Sequence, residues 1–165
     1  MAEYYTSDHH FGHHGMLKFC ARNRFVQTAE EMDEYMVNKW NSRVNHGDIV
    51  WHLGDVFFSN HEILGELKGL KKLIVGNHDY KKLKILKQYF DIEKDSIIVD
   101  KRKQLVLCHY PIWDWPQKFH GYYHFHGHTH GFCKMGHPKA FDVGVDCWDY
   151  YPMTFQEIIN GQRYK

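Results

Sequence analysis

The chain has 165 residues, the length of one domain, and its composition of 43% hydrophobic and 25% charged residues excludes a disordered, collagenous or low-complexity protein. Its 21 basic and 20 acidic residues almost cancel, so no overall charge attracts nucleic acid or an anionic membrane. We predict one domain over residues 1–165, in which any charged partner is bound by a local patch.

Histidine is unusually frequent, with 15 residues in the chain. Imidazole is the commonest metal ligand in proteins and titrates near neutral pH, so the excess indicates metal binding or acid–base chemistry. The alternative is a surface that happens to be rich in histidine. The spacing of the histidines must decide between the two.

The cysteines and the hydrophobic runs indicate the compartment. No C-x-x-C pair occurs among the cysteines, so we predict that all four are reduced thiols. They are Cys20, Cys108, Cys133 and Cys147. No basic segment followed by an apolar run opens the chain, and no run of about 18 apolar residues occurs. We therefore expect a soluble, cytoplasmic protein with no membrane partner.

The first elements in chain order are a strand and a helix. Residues 3–7 are β-prone and run into a polar, histidine-rich loop over 8–15. Thr28 and Glu31 have the spacing of a capping box. The apolar residues that follow recur every fourth position, which predicts an amphipathic helix with a buried face of Met32, Met36, Trp40 and Val44.

A βαβ unit is predicted next. Two apolar runs, 49–53 and 72–75, are each closed by a glycine and are typical of buried strands. Ser59 and Glu62 repeat the capping-box spacing between them, which predicts a helix and therefore parallel strands. A lysine-rich helix is predicted over 80–90.

The second half of the chain is richer in strands. Four are predicted there, the first two as a β-hairpin, over 97–99, 104–107, 122–126 and 140–145. Thr154 and Glu157 are predicted to cap a short helix near the end of the chain. Together these elements predict an α/β domain whose first half is βαβ and whose second half is mostly β.

Polar residues follow directly on four of the predicted strands. In open parallel sheets, ligand sites form beyond the carboxyl ends of strands, because the loops there converge on one crevice. We therefore expect a set of side chains, two of them from the first loop, to meet in space, namely Asp8, His10, Asp55, Asn77, His78, Asp79, His109, His128 and His130. The alternative is that they are turn residues, helix caps and hydrogen-bonded histidines, although turn chemistry does not demand histidine.

Five short blocks of the chain resemble, in content and order, the motifs of the calcineurin-like metallophosphoesterases. The blocks span residues 8–130 and read Asp8-x-His10, Gly54-Asp55, Gly76-Asn77-His78-Asp79, His109 and Gly127-His128-Thr129-His130. One block alone would be weak, whereas five in order are a specific signal. The resemblance implies a four-layer α-β-β-α sandwich, in which helices flank two mixed β-sheets, in a small version like the bacterial and phage-type phosphoesterases.

The resemblance also implies a site for two divalent metal ions. The residues implied for one ion are Asp8, His10 and His130, and those implied for the other are Asn77, His109 and His128, with Asp55 as the bridge. A carboxylate between two cations reduces their repulsion. Because the set offers only oxygen and nitrogen, it suits borderline or hard ions, and we expect Mn²⁺, with iron, Zn²⁺ or Ni²⁺ as alternatives.

The implied activity is phosphoester hydrolysis, by a phosphodiesterase rather than a phosphomonoesterase. Two such metal ions activate a water nucleophile and bind the phosphoryl oxygens. His78 matches the family's histidine that is not a ligand, and it would contact a phosphate oxygen or protonate the leaving oxygen. Asp79 would orient that imidazole, cap the following helix, or do both. The alternative is a metal-binding or interaction protein on the same fold without useful turnover.

Residues near the blocks are candidates for substrate binding. His13 would line the pocket or remain a loop residue, and Trp113 and Trp115 would stack on a base or an aromatic leaving group, or pack within their loop. The expected substrate is a phosphoester small molecule or a nucleotide. Lysine-rich stretches near 81–87 and 101–103 would attract a phosphate-rich ligand, but a solvated surface explains them equally well, so nucleic acid is not favoured.

Overall fold

Two mixed β-sheets form the framework of the protein. A computed structural model describes residues 1–24, 26–133 and 135–161. The strands in that part of the chain are, in order, β1 (Glu3–Thr6), β2 (Ile49–His52), β3 (Leu70–Leu73), β4 (Asp91–Ile92), β5 (Ile97–Asp100), β6 (Leu105–Cys108), β7 (Tyr123–His126), β8 (Ala140–Asp142) and β9 (Met153–Thr154). The α-helices are α1 (Met16–Phe19), α2 (Ala29–Asn41), α3 (Leu83–Leu86) and α4 (Phe155–Ile159), and 3₁₀ turns cover Arg22–Arg24, Glu62–Gly65, Tyr80–Lys82, Lys118–His120 and Val145–Cys147.

The strand order confirms the predicted α/β class. The first sheet has the order β4-β3-β2-β1-β9 and the second has the order β5-β6-β7-β8. Strands β1 to β4 are parallel, with Glu3 opposite Ile49 and Ile49 opposite Leu70, and β9 runs antiparallel to β1. In the second sheet β5 and β6 form the predicted hairpin, and β6, β7 and β8 are parallel. The carboxyl ends of the parallel strands in each sheet therefore lie at one edge of that sheet.

Successive residues of β1 enter two different hydrophobic cores, because side chains alternate between the faces of a strand. Tyr4 lies in the core that contains Met36 and Trp40 of α2, so this helix covers one face of the first sheet. Tyr5 lies in the core that contains Phe125 of β7, with ring centroids 5.2 Å apart, so the second sheet covers the opposite face. Helix α2, the first sheet and the second sheet thus form three successive layers.

Two of the predicted helices begin where their capping residues place them. The Thr28 hydroxyl accepts the Glu31 N–H at 3.2 Å, and α2 follows directly. Thr154 and Glu157 form a reciprocal capping box at the start of α4. Within the described ranges, no helix combines the length and the apolar character needed to cross a membrane.

Two other predicted helices differ from the structure, one forming only a 3₁₀ turn and the other a shorter helix. The Ser59 hydroxyl donates to the Gly12 carbonyl at 2.8 Å instead of capping a helix, and the chain forms only the 3₁₀ turn that starts at Glu62. Over 80–90 a 3₁₀ turn leads into the four-residue α3, in which Leu86 is the buried residue. The strand predicted at 72–75 is β3, which lies two residues earlier, and the pattern does not predict the two-residue strands β4 and β9.

Candidate metal centre

The predicted ligands lie just beyond the carboxyl ends of five strands. The loops after β1, β2 and β3 carry Asp8 and His10, Asp55, and Asn77, and those after β6 and β7 carry His109, His128 and His130. Five of these residues have left-handed backbone conformations, with φ of 61° for Asp8, 53° for His10, 58° for Asp55, 69° for His128 and 49° for His130. Such conformations are unfavourable for residues other than glycine and cluster at functional sites in proteins.

The first ligand group consists of Asp8, His10 and His130, whose ligand atoms lie within 4.8 Å of one another. Asp8 Oδ1 and both ring nitrogens of His10 are buried and lack a hydrogen-bond partner among the described residues. Burial raises the pKa of Asp8 to about 8 and lowers the pKa of His10 far below its ordinary value. Buried polar atoms without partners are rare in folded proteins, and these atoms fit a divalent cation.

The second ligand group consists of Asp55, His109 and His128, again within 4.8 Å, and Asn77 Oδ1 lies 3.0 Å from His128 Nδ1. The His109 Nδ1–H donates to the Leu53 carbonyl at 2.7 Å, and burial lowers the pKa of His109, so the neutral ring has a lone pair on Nε2. That lone pair faces Asn77 Oδ1 at 2.9 Å and Asp55 Oδ2 at 3.6 Å. Acceptor atoms that face one another in this way form the arrangement that a bound cation stabilises.

Asp55 lies between the two ligand groups. Its Oδ2 is 3.7 Å from His10 Nε2 in the first group and 3.6 Å from His109 Nε2 in the second. Its Oδ1 accepts the main-chain N–H of His78 at 2.9 Å, which fixes the orientation of the carboxylate. The structure therefore brings together all seven residues that the resemblance implies as ligands, with the carboxylate of Asp55 in the central position.

Two glycines allow the loops after β2 and β3 to touch through their backbones. A Cβ atom on Gly54, which has a φ of +99°, would lie 2.6 Å from the Gly76 Cα. A Cβ atom on Gly76 would lie 2.5 Å from the Asp55 main-chain nitrogen and would also overlap its carboxylate. Both glycines of the Gly54-Asp55 and Gly76-Asn77 blocks are therefore required by the close approach of the two loops.

Replacement of Gly76 with alanine is expected to push the Asp55 loop outward. Overpacking of this kind typically costs about 1–3 kcal/mol of unfolding free energy, and the shifted carboxylate should bind Mn²⁺ more weakly. Urea unfolding and calorimetric titration with Mn²⁺ measure the two effects. The matched control is Gly47→Ala, because a Cβ there meets no atom within 4 Å. Equal unfolding free energies and equal Mn²⁺ affinities in the two variants would contradict the argument from the close contact at Gly76.

Asp79 does not orient His78, contrary to the prediction. Its buried carboxylate accepts the main-chain N–H groups of Asp55 at 2.8 Å, Val56 at 3.0 Å and Gly76 at 2.9 Å. It does not cap the following turn through its side chain either. Burial raises the pKa of Asp79 to about 6, although the three N–H groups favour its charged form. Asp79 joins the loops that follow β2 and β3.

His78 is the exposed histidine beside both groups. Its side chain is 45% exposed, and its Nε2 lies 4.0 Å from Asp55 Oδ2. Its ring centroid is 5.4 Å from that of His10. The imidazole can therefore touch a ligand that approaches the centre from solvent.

The residues predicted to bind substrate lie in different environments. The His13 ring stacks on Phe58 with centroids 4.1 Å apart, lies 5.7 Å from the His10 ring, and so borders the first ligand group. Of the two alternatives for Trp115, the structure shows packing within the loop, because this side chain is buried and its Nε1–H donates to a main-chain carbonyl. Trp113 is exposed, and none of its described contacts joins it to the ligand groups.

Three further residues at the centre are not indicated by the sequence motifs. The Tyr110 ring, 43% exposed, lies 4.9 Å from the His109 ring and 4.6 Å from the His128 ring. Asp146 accepts the Nδ1–H of His130 at 2.7 Å and is itself bound by the buried Arg22. Tyr110 follows His109 directly and could have been noted from its position, whereas nothing in the local pattern signals Arg22 or Asp146.

The charges of Asp146 and His130 depend on each other. Burial would raise the pKa of Asp146, but the Arg22 guanidinium and the His130 ring hold it below its usual value. Burial likewise opposes a charge on His130, but the hydrogen bond to Asp146, together with the neighbouring Cys20 and Asp8, outweighs it and raises the pKa of His130 to about 10. A cation bound at His130 would have to displace that proton.

Comparison with known proteins places this α/β protein, with its histidine- and aspartate-rich candidate metal centre, in a family. No protein-family model matches the chain. The chain is 31% identical to the uncharacterized protein MJ1445 of Methanocaldococcus jannaschii, over 94% of this chain and 88% of that protein, and it belongs to the same family.

Two further relatives extend along nearly the whole chain. The gene 66 protein of Mycobacterium phage D29 is 27% identical, over 95% of each chain. A crystal structure of the protein of unknown function AQ665 from Aquifex aeolicus superposes with a TM-score of 0.73 at 27% identity, over 94% of this chain and 96% of that one. The names of these relatives state no activity.

Proposed function

We propose that the protein is a metal-dependent phosphohydrolase of the calcineurin-like class that acts by preference on phosphodiesters. The observation that carries the proposal is the position of Asp55 Oδ2, 3.7 Å from His10 Nε2 and 3.6 Å from His109 Nε2, between two groups of metal-ligating side chains. Paired divalent ions that share a carboxylate are a common arrangement for phosphoester hydrolysis.

The residues that would hold the first ion are Asp8, His10 and His130, those that would hold the second are Asn77, His109 and His128, and Asp55 would be shared. When bound, the ions would supply positive charge for the phosphate oxygens and make water acidic enough to act as a nucleophile at neutral pH. The donor set holds only oxygen and nitrogen, for which we propose Mn²⁺, with iron, Zn²⁺ or Ni²⁺ as alternatives.

The chain itself would supply the acid and the substrate contacts. The exposed His78 ring, at the edge of the centre, would donate a proton to the leaving oxygen or a hydrogen bond to the phosphate. His13 on one side and Tyr110 on the other would border the bound phosphoester. We propose a phosphoester small molecule or a nucleotide as the substrate.

Charge supports a diester rather than a monoester as substrate. Arg22 and Lys82, two cationic side chains near the ligand groups, already donate to main-chain carbonyl groups. A monoester carries up to two negative charges, whereas a diester carries one and needs less positive charge from the protein.

The four-layer sandwich of the calcineurin-like class is part of the same proposal. The contacts of α2 with one face of the first sheet, and of the second sheet with the other face, support three of the four layers. We propose that the elements outside the second sheet complete the fourth.

The proposal is tested by stripping the protein of metal, reloading it with Mn²⁺, Zn²⁺ or Ni²⁺, and measuring hydrolysis of bis(p-nitrophenyl) phosphate and p-nitrophenyl phosphate. We expect metal to restore turnover, faster on the diester, and the Asp55→Asn protein to stay inactive after the same treatment. Two bound ions per chain with no turnover of either compound would favour the other candidate, a metal-binding or interaction protein.

A further inference from the structure

A buried arginine lies directly behind the first ligand group. The Arg22 side chain is 1% exposed, and such a buried guanidinium is tolerated only when partners satisfy its donors. Its Nε and Nη2 donate to the two carboxylate oxygens of Asp146 at 2.9 and 2.8 Å. Nη1 donates to the His9 carbonyl at 2.7 Å, and Nη2 also donates to the Asp8 carbonyl at 2.8 Å.

Asp146, which Arg22 holds in place, in turn orients the candidate ligand His130. Its Oδ2 accepts the Nδ1–H of His130 at 2.7 Å. Nε2 is therefore the ring nitrogen of His130 that remains to bind an ion together with Asp8 and His10. A carboxylate on the far nitrogen of a metal-binding histidine fixes the tautomer and the ring orientation.

The same guanidinium holds the other ligand loop. Asp8 and His10 both adopt left-handed conformations, and the carbonyls of Asp8 and His9 are bonded to Arg22. One buried cation therefore restrains both loops that supply the first ligand group. The second group is oriented differently, since His109 Nδ1 donates to the main-chain carbonyl of Leu53 at 2.7 Å.

A different reading of the same residues is that they bind an ion themselves. Ligand atoms of Cys20, His130 and Asp146 do lie within 4.8 Å of one another. However, the Arg22 guanidinium is 2.8 Å from Asp146 Oδ2, and a cation placed there would be repelled at close range. The contacts therefore favour a supporting role for Asp146.

We propose that Arg22 and Asp146 are positioning residues for the first ligand group, so that their loss weakens metal binding there and leaves the second group unchanged. The inference rests on the proposed metal centre, but it concerns the unequal support of its two halves. No residue pair like Arg22 and Asp146 stands behind the second group among the described contacts.

The test is calorimetric titration with Mn²⁺ in two backgrounds. Asn77→Ala impairs the second group and His10→Ala the first, so each background reports one half of the centre. We expect Asp146→Asn to weaken Mn²⁺ binding by about 10- to 100-fold in the Asn77→Ala background and to change nothing in the His10→Ala background. The matched control is Glu157→Gln, which breaks the Arg43–Glu157 ion pair at α4, outside both groups.

Several results would overturn the inference. One is that Asp146→Asn weakens Mn²⁺ binding equally in both backgrounds. Another is that Glu157→Gln also weakens Mn²⁺ binding. A third is that Asp146→Asn does not weaken Mn²⁺ binding although the unaltered protein binds two ions. A protein that binds none of Mn²⁺, Zn²⁺ and Ni²⁺ before any substitution would refute the proposed function and this inference with it. A thiolate-to-Co²⁺ charge-transfer band that disappears in Cys20→Ser would show that Asp146 belongs to a separate ion site.

A second variant covers the case in which Asp146→Asn does not fold. The double replacement Arg22→Met with Asp146→Asn removes both buried charges together, which proteins often tolerate better than the loss of one. The same selective weakening of the first group is expected, because His130 again lacks its carboxylate. Unchanged Mn²⁺ binding in the folded double variant would overturn the inference.

Discussion

For a phosphodiester with an alkyl or nucleoside leaving group, His78→Ala is expected to lower kcat by about 10²- to 10⁴-fold, the usual contribution of a positioned general acid, while both ions stay bound. The side chain is 45% exposed at the edge of the centre, and its Nε2 is 4.0 Å from Asp55 Oδ2, so it can reach a substrate without being a ligand. Steady-state kinetics and Mn²⁺ stoichiometry measure the two parts of the prediction.

The choice of leaving group separates the two roles proposed for His78, protonation of the leaving oxygen and contact with the phosphate. The p-nitrophenolate ion departs without a proton, so the loss should be small with bis(p-nitrophenyl) phosphate and large with an alkyl or nucleoside leaving group. The control is His46→Ala, because His46 is exposed and lies outside both ligand groups. An equal loss for both kinds of leaving group would indicate that His78 contacts the phosphate instead of protonating the leaving oxygen. Full activity would remove it from the mechanism.

Asp79→Ala is expected to destabilise the protein strongly. The substitution leaves the buried N–H groups of Asp55, Val56 and Gly76 without their acceptor. Each unsatisfied buried donor costs about 1–3 kcal/mol, so the expected loss of unfolding free energy is about 3 kcal/mol or more. Urea unfolding of the metal-free protein measures it.

The same variant separates two roles for Asp79. If Asp79 oriented His78, its replacement would lower kcat and leave the unfolding free energy almost unchanged. That result would contradict the contacts described above. The control is Asp114→Ala, since Asp114 is an exposed loop residue whose loss should have little effect. Asp79→Asn should be intermediate, because the amide keeps one acceptor oxygen.

The positions of the candidate ligands were predictable because they depend on chain order and strand ends. A short apolar run followed by Gly54-Asp55, or by Gly76-Asn77, marks where a buried strand stops and a loop begins. Parallel strands then bring such loops to one edge, whatever the length of the chain between them. The same rule needs no knowledge of the connecting segments, one of which forms a 3₁₀ turn and another a helix shorter than predicted.

Side-chain direction was not predictable from adjacency. Asp79 is next to His78 in the chain, yet its carboxylate turns inward to the backbone of two loops while the imidazole remains exposed. Trp115 likewise follows an exposed Trp113 by two residues but is buried, with its ring stacked on His124 at 5.4 Å. Neighbours in a loop have no fixed period, so spacing alone does not assign them to a face.

The support behind the centre could not be predicted because its members are remote in sequence. Arg22 and Asp146 are separated by 124 positions, and neither belongs to a recognisable motif. A charged residue in a polar stretch is ordinarily read as solvated, and only the tertiary structure shows that Arg22 is buried.

The left-handed loop residues also determine when the ligand geometry is formed. Asp8, Asp55 and His128 hold unfavourable φ values of 61°, 58° and 69° that the surrounding fold must impose. If the fold imposes these conformations, the conformational entropy of ordering the loops is lost during folding and not when an ion arrives. At the proposed metal centre, one ion would then exchange for another without refolding of the loops, and the ion carried in the cell would follow supply as well as affinity.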